Sequence, residues 1–226
     1  MNLQTTPSES DDDIGRRLRI EIWADIGCPF CYLGKHRLLA AVAASPHAGS
    51  IDLRVRSFEL APQLPREPRP TVDVVVEMVG VPRERAEAMD GQMATTARSE
   101  GLGYLVERPM ANSFDIHRLL KLADAEGLSF QFFTRVQDAL FAEAANVFDH
   151  GYLADAGVAV GLSRPLVEQV LAGDQYADAV RADQDEAGKL GITGVPVTVF
   201  AGKTAISGGA SVGAYAEAIE KAWAAT

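Results

Sequence analysis

The chain has 226 residues, 47% of them apolar, enough to bury a sizeable core in one large domain or a domain with an insertion. A net charge of −10, with basic residues scattered along the chain, argues against nucleic acid or an anionic membrane as the main partner. No apolar run approaches the roughly 18 residues of a membrane span, so no membrane role is expected.

In chain order, residues 1–16 are polar and acidic and predict a flexible tail. They lack the layout of a secretory signal, so the expected location is cytoplasmic. Residues 18–24 read as a first strand. Residues 28–44 read as a first helix, with Leu33, Leu38, Leu39 and Val42 at helical spacing, broken at Ser45-Pro46. The alternating run 51–58, IDLRVRSF, predicts a second strand, and a β-α-β opening favours a parallel pair. A linker rich in proline follows, with Pro62, Pro65, Pro68 and Pro70, and the pattern from 71 to 191 is almost wholly helical. Its clearest helix covers 113–126, with Asn112 and Asp115 as an N-terminal cap pair. Further helices are expected after Ser163 and over 175–190. Sheet character returns at Val195–Phe200, Ala201-Gly202-Lys203 forms a turn, Thr204–Ser207 pairs back, and a last helix begins near Ser211. The expected architecture is therefore α/β: a thioredoxin fold with a large all-helical insertion between its βαβ and ββα halves. The predicted boundaries are 17–70 with 192–226 for the thioredoxin-fold domain and 71–191 for the insertion.

The only two cysteines are Cys28 and Cys31, three apart at a strand-to-helix junction. That is a place for dithiol chemistry. Backbone N–H groups at the helix start favour a thiolate on Cys28, which is expected to be the more exposed thiol and the nucleophile. Cys31, one turn on, is expected to resolve the mixed disulfide. The cytosol keeps dithiols mostly reduced, so a purely structural disulfide fits poorly. Zinc fits poorly too, because a structural site needs four ligands and no second cysteine pair exists. Pro29 removes one N–H donor and, with Phe30, tunes the pair. Pro196 enters an apolar strand, where proline is unwelcome. His117 is either a partly buried structural histidine or a group lining the cleft above the dithiol. Asn112 is either a helix cap or a ligand. Asp25 and Lys35 flank the motif and could assist proton movement. Trp23 is expected in the core and Tyr32 at the rim, with Met78, Met89, Met93 and Met110 filling gaps in the helical block.

Four segments resemble a known family. Asp25-Ile26-Gly27-Cys28-Pro29-Phe30-Cys31-Tyr32-Leu33-Gly34-Lys35 resembles the active-site segment of the DsbA-like thioredoxin-superfamily oxidoreductases, in their FrnE-like branch. Asn112–Arg118 resembles that branch's helix motif, Gly191–Pro196 its cis-proline segment, and Ile206-Ser207-Gly208 the strand before the last helix. This branch is related to 2-hydroxychromene-2-carboxylate isomerase and the kappa-class glutathione transferases. The resemblance implies a cis Val195–Pro196 bond facing the cysteines, with Val195, Pro196, Pro29, Phe30, His117 and Asn112 around the substrate. It implies thiol–disulfide exchange with a protein or small thiol, needing no metal or nucleotide, with glutathione as a candidate co-substrate. The alternative is a glutathione-dependent isomerase or transferase acting on an aromatic or quinone-like molecule. Isomerase relatives typically carry serine at the first cysteine, so Cys28 favours redox. The family often continues Gly-Ala-Gln where this chain has Gly208-Gly209-Ala210-Ser211, so substrate identity does not carry over.

Overall fold

The computed structural model describes residues 16–226, so residues 1–15 of the expected tail lie outside the described residues. Strand β1 (Leu18–Ala24) is central. Its alternating Leu18, Ile20 and Ile22 are fully buried, and Trp23 and Ala24 extend the apolar run at its end. Helix α1 (Pro29–Ala44) and a short 3-10 turn at Ala48–Ser50 carry the chain to β2 (Ile51–Ser57). β2 pairs parallel with β1 in the register Leu18 to Ile51 through Ala24 to Ser57. A helical crossover of this kind is what a parallel pair requires.

The second half of the sheet comes from the far end of the chain. β5 (Val197–Phe200) runs antiparallel to β1 and forms a hairpin with β6 (Thr204–Ser207), giving the order β2-β1-β5-β6. Ala201 and Gly202 both take positive φ in the hairpin turn, matching the right-handed strand twist. Helix α9 (Val212–Ala224) closes the fold, capped by Ser211, whose hydroxyl accepts from the Ala214 N–H. Its Tyr215, Ile219 and Trp223 are buried. Arg16, the first described residue, lies over the Trp223 ring and donates to the Trp223 carbonyl. This is the α/β thioredoxin fold expected from the order of elements.

Between the halves run α2 (Thr71–Val79), α3 (Arg83–Ser99), α4 (Phe114–Ala125), α5 (Ser129–Glu143), α6 (His150–Ala159), α7 (Arg164–Ala172) and α8 (Ala177–Lys189). The helical stretch also carries a two-stranded antiparallel ladder that the sequence pattern does not show, β3 (Arg69–Pro70) with β4 (Pro109–Met110). Two-residue strands containing proline have no periodicity to read. Ser113, rather than Asn112, occupies the N-cap position of α4. The Asn112 carboxamide oxygen accepts from the Phe114 N–H at 3.0 Å, in a turn one residue earlier. Of the methionines expected to fill gaps, Met78 and Met89 are about two-fifths exposed.

Candidate active site

Cys28 is the N-cap of α1 and Pro29 its first helical residue. Proline fits there because its φ is preset for helix and its missing N–H would have no intrahelical partner anyway. The Cys28 sulfur accepts the Cys31 N–H at 3.4 Å, and its thiol is 3.6 Å from the Val195 carbonyl oxygen, toward which it donates. The Val195–Pro196 bond is cis. The loop implied by the resemblance thus touches the first cysteine directly. The Gly208 N–H donates to the Pro196 carbonyl at 2.8 Å, tying the end of β6 to the same loop.

Both cysteines are free thiols, Cys28 with 3% of its surface exposed and Cys31 with none. Burial pushes the Cys31 thiol well above its ordinary pKa, reinforced by the Cys28 sulfur and opposed by a hydrogen bond from the Asp25 backbone. Phe30, between the cysteines, is 54% exposed and forms the apolar rim. Beside the cis-proline loop a groove of about 400 Å³ runs along Leu190–Val197 and the edge of β6 at Ala205, Ser207 and Gly208. No charged side chain lines it.

Close approach of backbones shapes this corner. A Cβ added at Gly34 would sit 3.2 Å from the Gly209 Cα and 3.3 Å from the Pro196 Cγ. One added at Gly209 would sit 3.0 Å from the Phe30 carbonyl oxygen. Glycine at both places lets the loop after β6 lie against α1. Arg37 fastens that loop, donating to the Gly209 carbonyl at 2.6 Å while pairing with Glu100.

Two of the candidate substrate residues make internal hydrogen bonds. His117 is 1% exposed, and its Nε2 faces the Asp25 carboxylate at 3.4 Å, beneath the dithiol. Asn112 donates its Nδ2 to the Pro62 carbonyl at 2.9 Å and its backbone N–H to the Pro65 carbonyl at 2.9 Å, strapping the linker to the start of α4. The resemblance implies that both lie around the substrate; the structure engages the His117 Nε2 and the Asn112 carboxamide in internal hydrogen bonds. Tyr32 is buried rather than at the rim, stacked on Phe141 with ring centroids 4.6 Å apart.

Sequence reasoning passed over the weight of Asp25. It is 3% exposed, and its carboxylate accepts from the Ile26 N–H (2.7 Å), the Leu60 N–H (2.7 Å), the Ser113 hydroxyl (2.9 Å) and His117. Burial alone raises a carboxyl pKa, but here the His117, Leu60 and Ser113 donors outweigh it and hold Asp25 below the usual carboxylate value. Gln137 of α5 adds its Nε2 to the Asp25 and Ile26 carbonyls, each at 3.3 Å. An acidic residue ending an apolar strand three positions before Cys28 was the available signal. Lys35 is also fully buried, paired with Asp138 and lying 5.1 Å over the Tyr32 ring. Among the described residues no group of three or more His, Cys, Asp or Glu side chains gathers as a metal site. No helix there is long and apolar enough to cross a membrane.

Two cysteines at a helix start, faced by a cis-proline loop on a four-stranded sheet, are an arrangement of the thioredoxin fold. A family model for the DSBA-like thioredoxin domain matches residues 19–220, and the chain belongs to that family. A crystal structure of a probable DsbA oxidoreductase from Streptomyces coelicolor is 36% identical, covers 93% of this chain and 92% of its own, and superposes with a TM-score of 0.82. Two more distant structures share the fold. 2-Hydroxychromene-2-carboxylate isomerase is 16% identical over 90% of this chain and 95% of its own, with a TM-score of 0.71. The cytosolic disulfide reductase DsbM from Pseudomonas aeruginosa, solved with GSH, is 16% identical over 91% of this chain and 96% of its own, with a TM-score of 0.58.

Proposed function

We propose that the protein is a thiol–disulfide oxidoreductase in which Cys28 exchanges with a substrate disulfide and Cys31 resolves the resulting mixed disulfide. The observation that carries this reading is the paired thiol geometry. Cys28 accepts the Cys31 N–H, stands against the Val195 carbonyl, and has its partner cysteine buried directly behind it. A sulfur attacked at Cys28 leaves Cys31 one helical turn away, where an intramolecular disulfide can close.

A protein disulfide suits the surroundings better than glutathione as the principal substrate. Glutathione carries two carboxylates and an ammonium, and binding it calls for charged partners. The groove beside Pro196 offers backbone, apolar side chains and the Thr193 and Ser207 hydroxyls but no charge, which fits an extended polypeptide. Glutathione is then the small thiol that reduces or recharges the pair, a role the GSH-bound DsbM fold accommodates. A cytoplasmic setting matches the named location of DsbM and a compartment that keeps dithiols reduced.

Replacing Cys31 by serine tests the assignment. The Cys31→Ser protein should accumulate a covalent mixed disulfide at Cys28, seen by intact-protein mass spectrometry, and should lose turnover in a disulfide-reduction assay. Full turnover with no trapped adduct would point instead to the glutathione-dependent isomerase or transferase, which needs no resolving thiol.

A further inference from the structure

We propose that Met110 is a specificity-determining residue: with Phe30 it forms an apolar lip beside Cys28 that receives an apolar side chain of the substrate polypeptide close to its disulfide cysteine. The inference rests on the dithiol chemistry proposed above and names the class of disulfide that chemistry accepts.

Met110 belongs to the insertion by sequence and to the active-site loop by contact. Strand β4 carries it, opposite Arg69 of β3. A Cβ added at Gly27 would sit 3.2 Å from the Met110 Cε, 3.9 Å from its Sδ and 4.0 Å from its Cγ. The thioether end therefore lies on the backbone immediately before Cys28. Bond lengths and the Cα spacing put its methyl within about 9 Å of the Cys28 Cα, which two or three residues of extended chain can span. Met110 is half-buried and stands outside the hydrophobic core. Phe30, on the other side of Cys28 in sequence, is mostly exposed and also stands outside it. Both side chains thus present apolar surface that the core does not use, next to the reacting sulfur.

The charges closest to Met110 along the ladder are already paired. Arg69, its cross-strand partner, is held by Glu77, and Arg108, two residues earlier, is buried on Asp90. A charged substrate side chain laid on the lip would lose water and find no partner. An apolar one would gain burial. Methionine is suited to such a surface because it is unbranched, polarizable and free to turn about three bonds. It fits leucine, phenylalanine or valine in turn, so the lip selects a class of neighbour to the cysteine and not one residue.

The test uses the reduced full-length protein and a set of short peptides. Each has one central cysteine bonded to thionitrobenzoate, with two identical residues, one placed two positions to either side: leucine, aspartate or lysine. The Cys28 sulfur bonds to the peptide sulfur, the bond to thionitrobenzoate breaks, and the coloured thiolate leaves with the bonding pair, so its release reports the attack. Salt of about 0.15 M screens the field of the net charge of −10. With the wild-type protein the leucine peptide should react about tenfold faster than either charged one. Relative to its wild-type value, the lysine-to-aspartate rate ratio should rise about threefold in Met110→Glu and fall about threefold in Met110→Lys. Each ratio is taken within one protein, so a general loss of activity in a variant cancels. A ratio that stays the same in wild type and both variants would overturn the proposal and leave Met110 as packing for Gly27 alone. Equal rates for all three peptides with the wild-type protein would also overturn it. No release from any peptide would remove the dithiol chemistry itself, and the proposal with it.

Discussion

Replacing Lys35 by methionine isolates the energetic consequence of a buried ammonium on the active-site helix. Lys35 has no exposed side-chain surface. Burial lowers its pKa from 10.5 to about 8, with Asp138 opposing the shift. Between those two values the unfolded chain holds the proton and the native protein does not. Native stability must therefore rise with pH through this window. The gap between about 8 and 10.5, at about 1.4 kcal/mol per unit, is worth ~3 kcal/mol. Below pH 8 the wild-type protein carries that cost in full. Other groups pull the opposite way: burial raises Cys31 above its ordinary value and raises Tyr32 to about 12, so the native protein retains protons that the unfolded chain releases. Those contributions are common to wild type and Lys35→Met and cancel in the difference. Asp138 keeps His36 at 2.9 Å in the variant, so it is not left alone. Urea unfolding of both proteins at about pH 7 and about pH 10 should show wild type gaining roughly 2 to 3 kcal/mol on the variant. A difference that stays flat, or that moves toward the variant, would refute the account of Lys35 as a charge held against burial.

Two further substitutions test the scaffold of the site. Gly34→Ala should gain about 1 kcal/mol of helix propensity, yet its methyl must fit 3.2 Å from Gly209 and 3.3 Å from Pro196; displacement of the cis-proline loop should lower kcat/KM on a disulfide substrate by about tenfold, and unchanged turnover would show that the loop accommodates the methyl. Arg118→Met should cost about 3 kcal/mol by chemical denaturation, because this 2%-exposed guanidinium pairs with Asp115 and donates to the Val170 carbonyl in the last turn of α7 and to the Gly173 and Gln175 carbonyls beyond it; a loss below about 1 kcal/mol would mean those carbonyls find other donors.

The parts of this fold that could be read from the sequence are those written in local chemistry. β1 shows its alternation, Cys28-Pro29 marks the start of α1, and Ser211 marks the start of α9 because its hydroxyl caps that helix. The dithiol was legible for the same reason: both cysteines lie within one turn. The β3–β4 ladder was not, because its pairing joins Arg69 to Met110 and involves two prolines, leaving no pattern in either segment. Tyr32 illustrates a second limit. Its position on α1 fits either rim or core, and only the stacking of Phe141, from α5, decides for the core.

The charged interior shows why the site itself was half legible. Asp25, Ser113 and His117 were all visible as residues, but Ser113 and His117 stand 88 and 92 positions from Asp25 along the chain, and nothing local specifies that they meet. The family likeness drew attention to the Asn112–Arg118 segment and implied substrate contact. The structure shows a further physical reason that segment matters. Burying an ionised carboxylate is costly unless donors surround it, and the loop before Cys28 supplies only the Ile26 N–H. The rest must come from elsewhere, and α4 and the linker at Leu60 provide them. The start of α4 is therefore bound to the end of β1 through a residue three positions before Cys28. A change in how α4 docks would alter the donors to Asp25, and with them the cost of keeping its carboxylate buried.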